Sequence, residues 1–197
     1  MTECVKTGNF EVTCTIAKSD STAIRNPVLR WHSKSVLVFV DVEAFGGCPA
    51  TGQMTEFGAV DFRTRQTFHG LIVDSRPSQE NPAIPVPTGR PSQEHEYKVA
   101  SEFAYWLGTL SSGRLIFVSD NPAYDFQWIN DLFFRTLGEN PFGHSARRIG
   151  DFYAGLVGDF YAKQNWKRLR ITHHDHNPVH DSQGNAEAFQ RLLNGEL

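Results

Sequence analysis

The segment "VLVFVDVEAFGG", residues 36–47, decides how the chain folds. Its first five residues are aliphatic or aromatic, the composition of a strand covered on both faces, and Gly46-Gly47 ends the run. The strand nevertheless carries Asp41 and Glu43. Residues i and i+2 of a strand share a face, so the two carboxylates project side by side. Carboxylates about 4 Å apart repel by about 4 kcal/mol at an effective dielectric near 20, and burial adds to that cost. Exposure at a strand end, a proton retained on one acid, or a divalent cation would each relieve it.

Two further acids stand in comparable places. The strand-like "RLIFVS" (114–119) runs into "DNPAYDFQWINDLFFRTLG" (120–138), which has helix punctuation: Asn121 as N-cap, Pro122 at the first helical position and Gly138 past the end. Asp125 therefore lies one turn into a helix that begins at a strand's end. Asp181 opens the last helical segment, "SQGNAEAFQRLLNG" (182–195). Oxygen ligands supplied by separate elements suit Mg²⁺ or Mn²⁺.

Around these elements the pattern is α/β. Residues 35–43, 54–62 and 66–74 read as three strands, the second and third joined by 63–65 as a hairpin. The proline-rich stretch 74–96 repeats "RPSQE" at 76–80 and 90–94 and reads as a long loop. Val99, Phe103, Leu107 and Leu110 recur at helical spacing before Gly113. Residues 147–170 read as helix broken at its glycines. The expected order, three strands, helix, strand and three helices, gives a mixed sheet flanked by helices. The 197 residues suffice for one domain over 35–197, with 1–34 as an extension wrapping it or partly disordered.

Composition limits the partners. A net charge of −3 provides no global basic field, so a polyanion would have to be held locally. Three cysteines without metal-ligand spacing fit a reducing compartment, and no apolar run is long enough to cross a bilayer; a cytoplasmic protein is expected. Local basic charge does occur, in "KQNWKRLR" (163–170), where Lys167, Arg168 and Arg170 flank Trp166. Such a run is either a solvated helix face or a set of phosphate contacts. Phe45, just after the acid pair, is either a core residue or a surface on which a base could stack.

In order and spacing, "DVE", "SDNPAYD" and "HNPVHDSQGNAEAF" resemble the three motifs of the DEDDh 3′-5′ exonucleases, a branch of the ribonuclease H-like superfamily. The likeness runs over roughly 35–195 and is strongest toward the subgroup of ribonuclease T and the mycobacterial polyadenylate-specific exoribonuclease. The resemblance implies a ribonuclease H-like fold, two Mg²⁺ or Mn²⁺ ions held by Asp41, Glu43, Asp125 and Asp181, and His176 as general base. It also implies hydrolysis from the 3′ end of single-stranded nucleic acid, RNA before DNA, releasing nucleoside 5′-monophosphates. Phe45, Lys167, Arg168 and Arg170 would contact substrate. Relatives of this kind are often homodimers. Where close relatives read "HPVDDA" this chain has "NPVHDS", placing His180 and Ser182 where they have an acid and a small apolar residue.

Two other readings compete. One is a catalytically inactive module of the same fold that binds nucleic acid. The other is a zinc hydrolase built on the cluster His173, His174, His176 and His180, although no cysteine or HExxH pair accompanies it.

Overall fold

The computed structural model describes residues 35–110, 113–162 and 164–197. The N-terminal segment 1–34 and Lys163 lie outside the described residues. In chain order the elements are β1 (Val36–Phe45), β2 (Gln53–Asp61), β3 (Thr67–Leu71), β4 (Ser75–Pro77), β5 (Pro85–Pro87), α1 (Gln93–Leu110), β6 (Leu115–Ser119), α2 (Pro122–Leu137), β7 (Ala146–Arg148), α3 (Ile149–Val157), a 3₁₀ turn (Asn165–Leu169) and α4 (Pro178–Leu193).

The main sheet has the order β3-β2-β1-β6-β7. β1, β2 and β3 form the antiparallel meander expected from sequence, while β1 with β6 and β6 with β7 are parallel. The result is the mixed α/β sheet anticipated for a ribonuclease H-like fold. β1 is central because it can be buried on both faces. Val36, Val38, Val40 and Val42 enter one core with Phe57, Phe103, Phe117, Ile129 and Phe133, the side covered by α1 and α2. Phe39 faces the other core, with Val60, Val118, Ile149, Trp166, Phe189 and Leu192, the side covered by α3 and α4. Each large side chain buried in this way contributes about 1.5–3 kcal/mol. Alternation then assigns Asp41 and Glu43 to the Phe39 side, where α4 also packs.

Glycine permits the tightest contact between that helix and the sheet. A Cβ on Gly58 of β2 would lie 2.3 Å from the Pro178 backbone, so α4 can approach β2 only over a residue without one. Ser182 Oγ, fully buried, donates to the Gly58 carbonyl across the contact at 3.0 Å.

Several boundaries differ from the sequence expectation. The proline-rich loop contains a small β4-β5 hairpin. α1 starts at Gln93, with Ser92 Oγ accepting from the His95 N–H at 3.1 Å, so the second RPSQE copy begins a helix while the first lies in β4 and the turn after it. α4 begins at Pro178, because the Asn177 side chain accepts from the Val179 and His180 N–H groups. Residues 147–170 are not one broken helix. Arg147 and Arg148 belong to β7, α3 ends at Gly158 in the left-handed conformation, and the basic segment is a 3₁₀ turn. No helix among the described residues is long and apolar enough to cross a membrane.

Candidate active site

Four acids converge where the sheet's core ends. β1 carries Asp41 and Glu43 out beyond Phe39, and its register against β2 shifts between Glu43 and Ala44, bending the strand at this point. Thr55 Oγ1 donates to the Glu43 carbonyl at 3.0 Å, and Tyr124 Oη donates to the Ala44 carbonyl at 3.1 Å. The tyrosine ties the first turn of α2 to the end of β1 and so brings Asp125, the next residue, against Asp41. α4 delivers Asp181 from its first turn. Carboxylate oxygens of Asp41, Glu43 and Asp181 lie within 4.8 Å of one another, as do those of Asp41, Asp120 and Asp125.

These acids are poorly compensated. Asp125 and Asp181 are 3% and 1% exposed, and Asp125 Oδ2 has no hydrogen-bond partner among the described residues. Burial, then the charges of Asp125 and Asp181, holds the Asp41 carboxyl well above the usual range. Burial, followed by Asp41, pushes Glu43 up to about 8. Burial and Asp120 raise Asp125, and burial raises Asp181 against the opposing influence of His174. A buried carboxylate oxygen without a donor is costly unless it is protonated or bound to a cation. Hard oxygen donors from three elements fit a divalent ion of the Mg²⁺ or Mn²⁺ type.

The loop before α4 brings histidines to the same place. His176 has a left-handed backbone, φ 61°, which is strained for a residue other than glycine, and its exposed ring puts Nδ1 3.6 Å from Glu43 Oε1. His174 Nδ1 lies 2.6 Å from Asp181 Oδ2, and its ring stands edge-on to His176 at 4.4 Å. His174, His176 and Asp181 therefore form a third group of candidate ligand atoms within 4.8 Å. His180 turns away to Asp175 Oδ2 at 2.9 Å. Asp175 in turn donates its N–H to Asp181 Oδ1 at 3.3 Å.

The substrate-contact candidates divide. Phe45 is 45% exposed beside the acid pair, and Arg168 is exposed. Lys167 and Arg170 point inward: Lys167 Nζ is ion-paired with Asp120 Oδ2, and Arg170 Nη2 lies 3.7 Å from the same oxygen. Trp166 and Trp128 are both core residues. Glu56, in β2, contacts His69 Nε2 at 2.7 Å.

Asp120 escapes a reading by motif, and His174 enters the sequence reading only as a member of the histidine cluster. The signal for Asp120 is the parallel register: Phe39 pairs with Val118, so two residues further on Asp41, within β1, and Asp120, just past the end of β6, are brought side by side. The cluster does not say that His174 meets Asp181.

The five-stranded mixed sheet flanked by helices is an α/β architecture of the ribonuclease H-like type, a fold it shares with solved exonucleases. Similarity to known proteins agrees. The chain is 28% identical over 180 residues to the 3′-5′ DNA exonuclease Cap18 of Escherichia coli, covering 81% of this chain and 92% of the relative. Its fold is similar to the nuclease domain of 3′hExo, a DEDDh family member bound to rAMP, with a TM-score of 0.53, 14% identity and coverage of 84% of this chain and 96% of that one. Product-bound exonuclease I gives a TM-score of 0.52 at 14% identity, over 82% of this chain and 44% of that enzyme. No family model matches the chain.

Proposed function

We propose that the protein is a metal-dependent 3′-5′ exonuclease that hydrolyses phosphodiester bonds at the 3′ end of single-stranded nucleic acid and releases nucleoside 5′-monophosphates. The observation that carries this reading is the meeting of Asp41, Glu43, Asp125 and Asp181 from β1, α2 and α4 in two acid groups that share Asp41, with a buried carboxylate oxygen left without a partner. Those four residues would hold two Mg²⁺ or Mn²⁺ ions, which when bound lower the pKa of an attacking water and neutralise charge on the departing 3′ oxygen.

The chain's own groups supply the remainder. His176 accepts the water's proton on Nε2 as the oxygen–phosphorus bond forms and the bond to the 3′ oxygen breaks. Glu43, 3.6 Å from Nδ1, stabilises the resulting imidazolium. Its strained backbone and exposed ring suit a group that must meet solvent and substrate. Phe45 offers a face to the terminal base, and Arg168 a cation to the incoming backbone. Lys167 and Arg170, also expected from sequence to touch phosphate, reach substrate only by leaving Asp120.

The sequence resemblance points to RNA as substrate. The similarity to Cap18, extending over 92% of a relative named as a DNA exonuclease, favours a second reading with single-stranded DNA. Incubating 5′-labelled RNA and DNA of identical sequence with Mg²⁺ or Mn²⁺ distinguishes them by rate. No 3′ shortening of either, or shortening that survives Asp41→Asn, overturns the exonuclease. The zinc reading has its own support in the His174, His176 and Asp181 group. Stoichiometric Zn²⁺ that withstands dialysis and is lost in His174→Ala would favour it. A homodimer, expected from the resemblance, predicts twice the chain mass in light scattering.

A further inference from the structure

Asp120 is the acid for which the four-ligand reading has no use. It follows β6, and one of its oxygens lies within 4.8 Å of oxygens of Asp41 and Asp125. Unlike Asp125 Oδ2, its Oδ2 has cationic partners, the Lys167 ammonium and Arg170 Nη2, the latter at 3.7 Å.

The cations that hold it are fixed from behind. Trp166, fully buried, anchors the 3₁₀ turn, and the Arg170 guanidinium lies 5.4 Å above its ring. Arg170 also donates to Asn185 Oδ1 of α4 at 2.5 Å, and its side chain is 8% exposed. A guanidinium that cannot deprotonate is thus buried beside the acid cluster. It acts on Asp41 and Asp181 as well, favouring the charged form of both. A cation drawn fully onto those carboxylates would compete directly with a divalent ion.

We propose that Asp120 is a positioning residue that sets the divalent-ion affinity of the site, by holding Lys167 and Arg170 away from the ligand oxygens of Asp41 and Asp181 and adding a negative charge behind Asp125. The proposal rests on the cation-site reading of the four acids. The partnerless Asp125 Oδ2 independently points to a ligand there.

The test is calorimetric titration of MnCl₂ into the EDTA-stripped full-length protein. Asp120→Asn is expected to weaken Mn²⁺ binding at least about tenfold, the scale on which outer groups tune metal sites, with Asp120→Glu recovering part of the loss. Adding Lys167→Met to Asp120→Asn removes the released cation and is expected to restore affinity several-fold, a gain that a merely structural role for Asp120 would not produce. Lys167→Met alone, which keeps Asp120, is expected to bind Mn²⁺ more tightly than the wild type, and it serves if Asp120→Asn does not fold. Mn²⁺ affinity in Asp120→Asn within twofold of wild type, or no gain from Lys167→Met in either background, overturns the proposal. Because binding is read without turnover, a protein that shows these affinity changes yet degrades neither RNA nor DNA refutes the exonuclease and leaves Asp120's role standing.

Discussion

Asp61 and Asp125 are equally buried, 2% and 3% exposed, but are treated differently by their surroundings. Asp61, at the end of β2, accepts from the Arg63 and Thr64 N–H groups at 3.2 and 3.1 Å and from Thr64 Oγ1 at 2.6 Å. Glu96 on α1 is likewise satisfied, meeting Nη1 and Nη2 of Arg135 on α2 at 2.9 Å each. Asp125 keeps an oxygen with no donor, in a cluster whose members raise one another's pKa. Asp61 and Glu96 bind a turn and a helix pair together, whereas the Asp125 cluster sustains a repulsion that the fold alone does not require. Buried acids of the first kind are structural, and those of the second have the chemistry of a divalent-cation site.

The largest effect expected is on turnover. Asp125→Asn and Asp41→Asn each remove a ligand charge and should lower exonuclease activity by about a thousandfold or more, equivalent to several kcal/mol of transition-state stabilisation. Thermal melts of the metal-free variants should show Tm equal to or above the wild type, because a repelling charge has gone. If either variant keeps activity, or loses Tm as a structural acid would, the distinction between the two kinds of acid fails.

His176→Ala should lower kcat about 10²- to 10⁴-fold, the range for loss of a general base. Mn²⁺ affinity measured by calorimetry should change far less. Equal losses in both would make His176 a ligand instead.

The structural acids should behave in the opposite way. Asp61→Ala strands the Arg63 and Thr64 N–H groups and should cost about 2–3 kcal/mol in urea denaturation, and Glu96→Ala about 2 kcal/mol given the exposed side of Arg135. Activity per folded molecule should be unchanged in both. A loss of turnover in Asp61→Ala without a loss of stability would break the comparison from the other side.

How far this contrast could be read in the sequence depended on what each residue touches. Asp41, Glu43 and Asp125 are legible because β1, β6 and α2 form close to where their patterns predict; Asp181 falls in the first turn of a helix that begins earlier than expected, at Pro178, and His176 is named as general base by the motif resemblance alone. Asp120 reads as an ordinary residue before an N-cap, since only the pairing of β1 with β6 brings it to Asp41. "KRLR" was legible as basic, but not as inward-facing, because that follows from Trp166 anchoring a 3₁₀ turn in the core. β7 has only three residues and no apolar alternation, so its strand character comes from β6. The pentapeptide GDFYA shows the limit most directly. At 150–154 it lies in α3 with Tyr153 buried, while at 158–162 it follows the helix and leaves Phe160 and Tyr161 88% and 86% exposed. Identical local sequence took two environments because the first copy places Phe152 and Tyr153 on the sheet's second core, whereas the second reaches that core only through Ala162.

The smallest and most graded test is pH. Glu43, pushed up to about 8, and Asp41, Asp125 and Asp181, all raised chiefly by burial, keep protons in the folded metal-free protein that the unfolded chain has released. The unfolded carboxyls titrate near pH 4. A raised folded pKa contributes stability that is fully present below the unfolded pKa and is lost as pH rises through the folded one. The Tm of EDTA-treated protein should therefore decline between about pH 4 and pH 8, with Glu43→Gln flattening part of that decline. Saturating Mn²⁺ should remove most of the slope above pH 6, since the bound ion takes the place of the protons. Asp61→Ala should retain the wild-type slope because its target lies outside the cluster. A metal-free Tm that rises over this interval would mean that the four acids are already compensated, and the contrast between Asp125 and Asp61 would lose its physical basis.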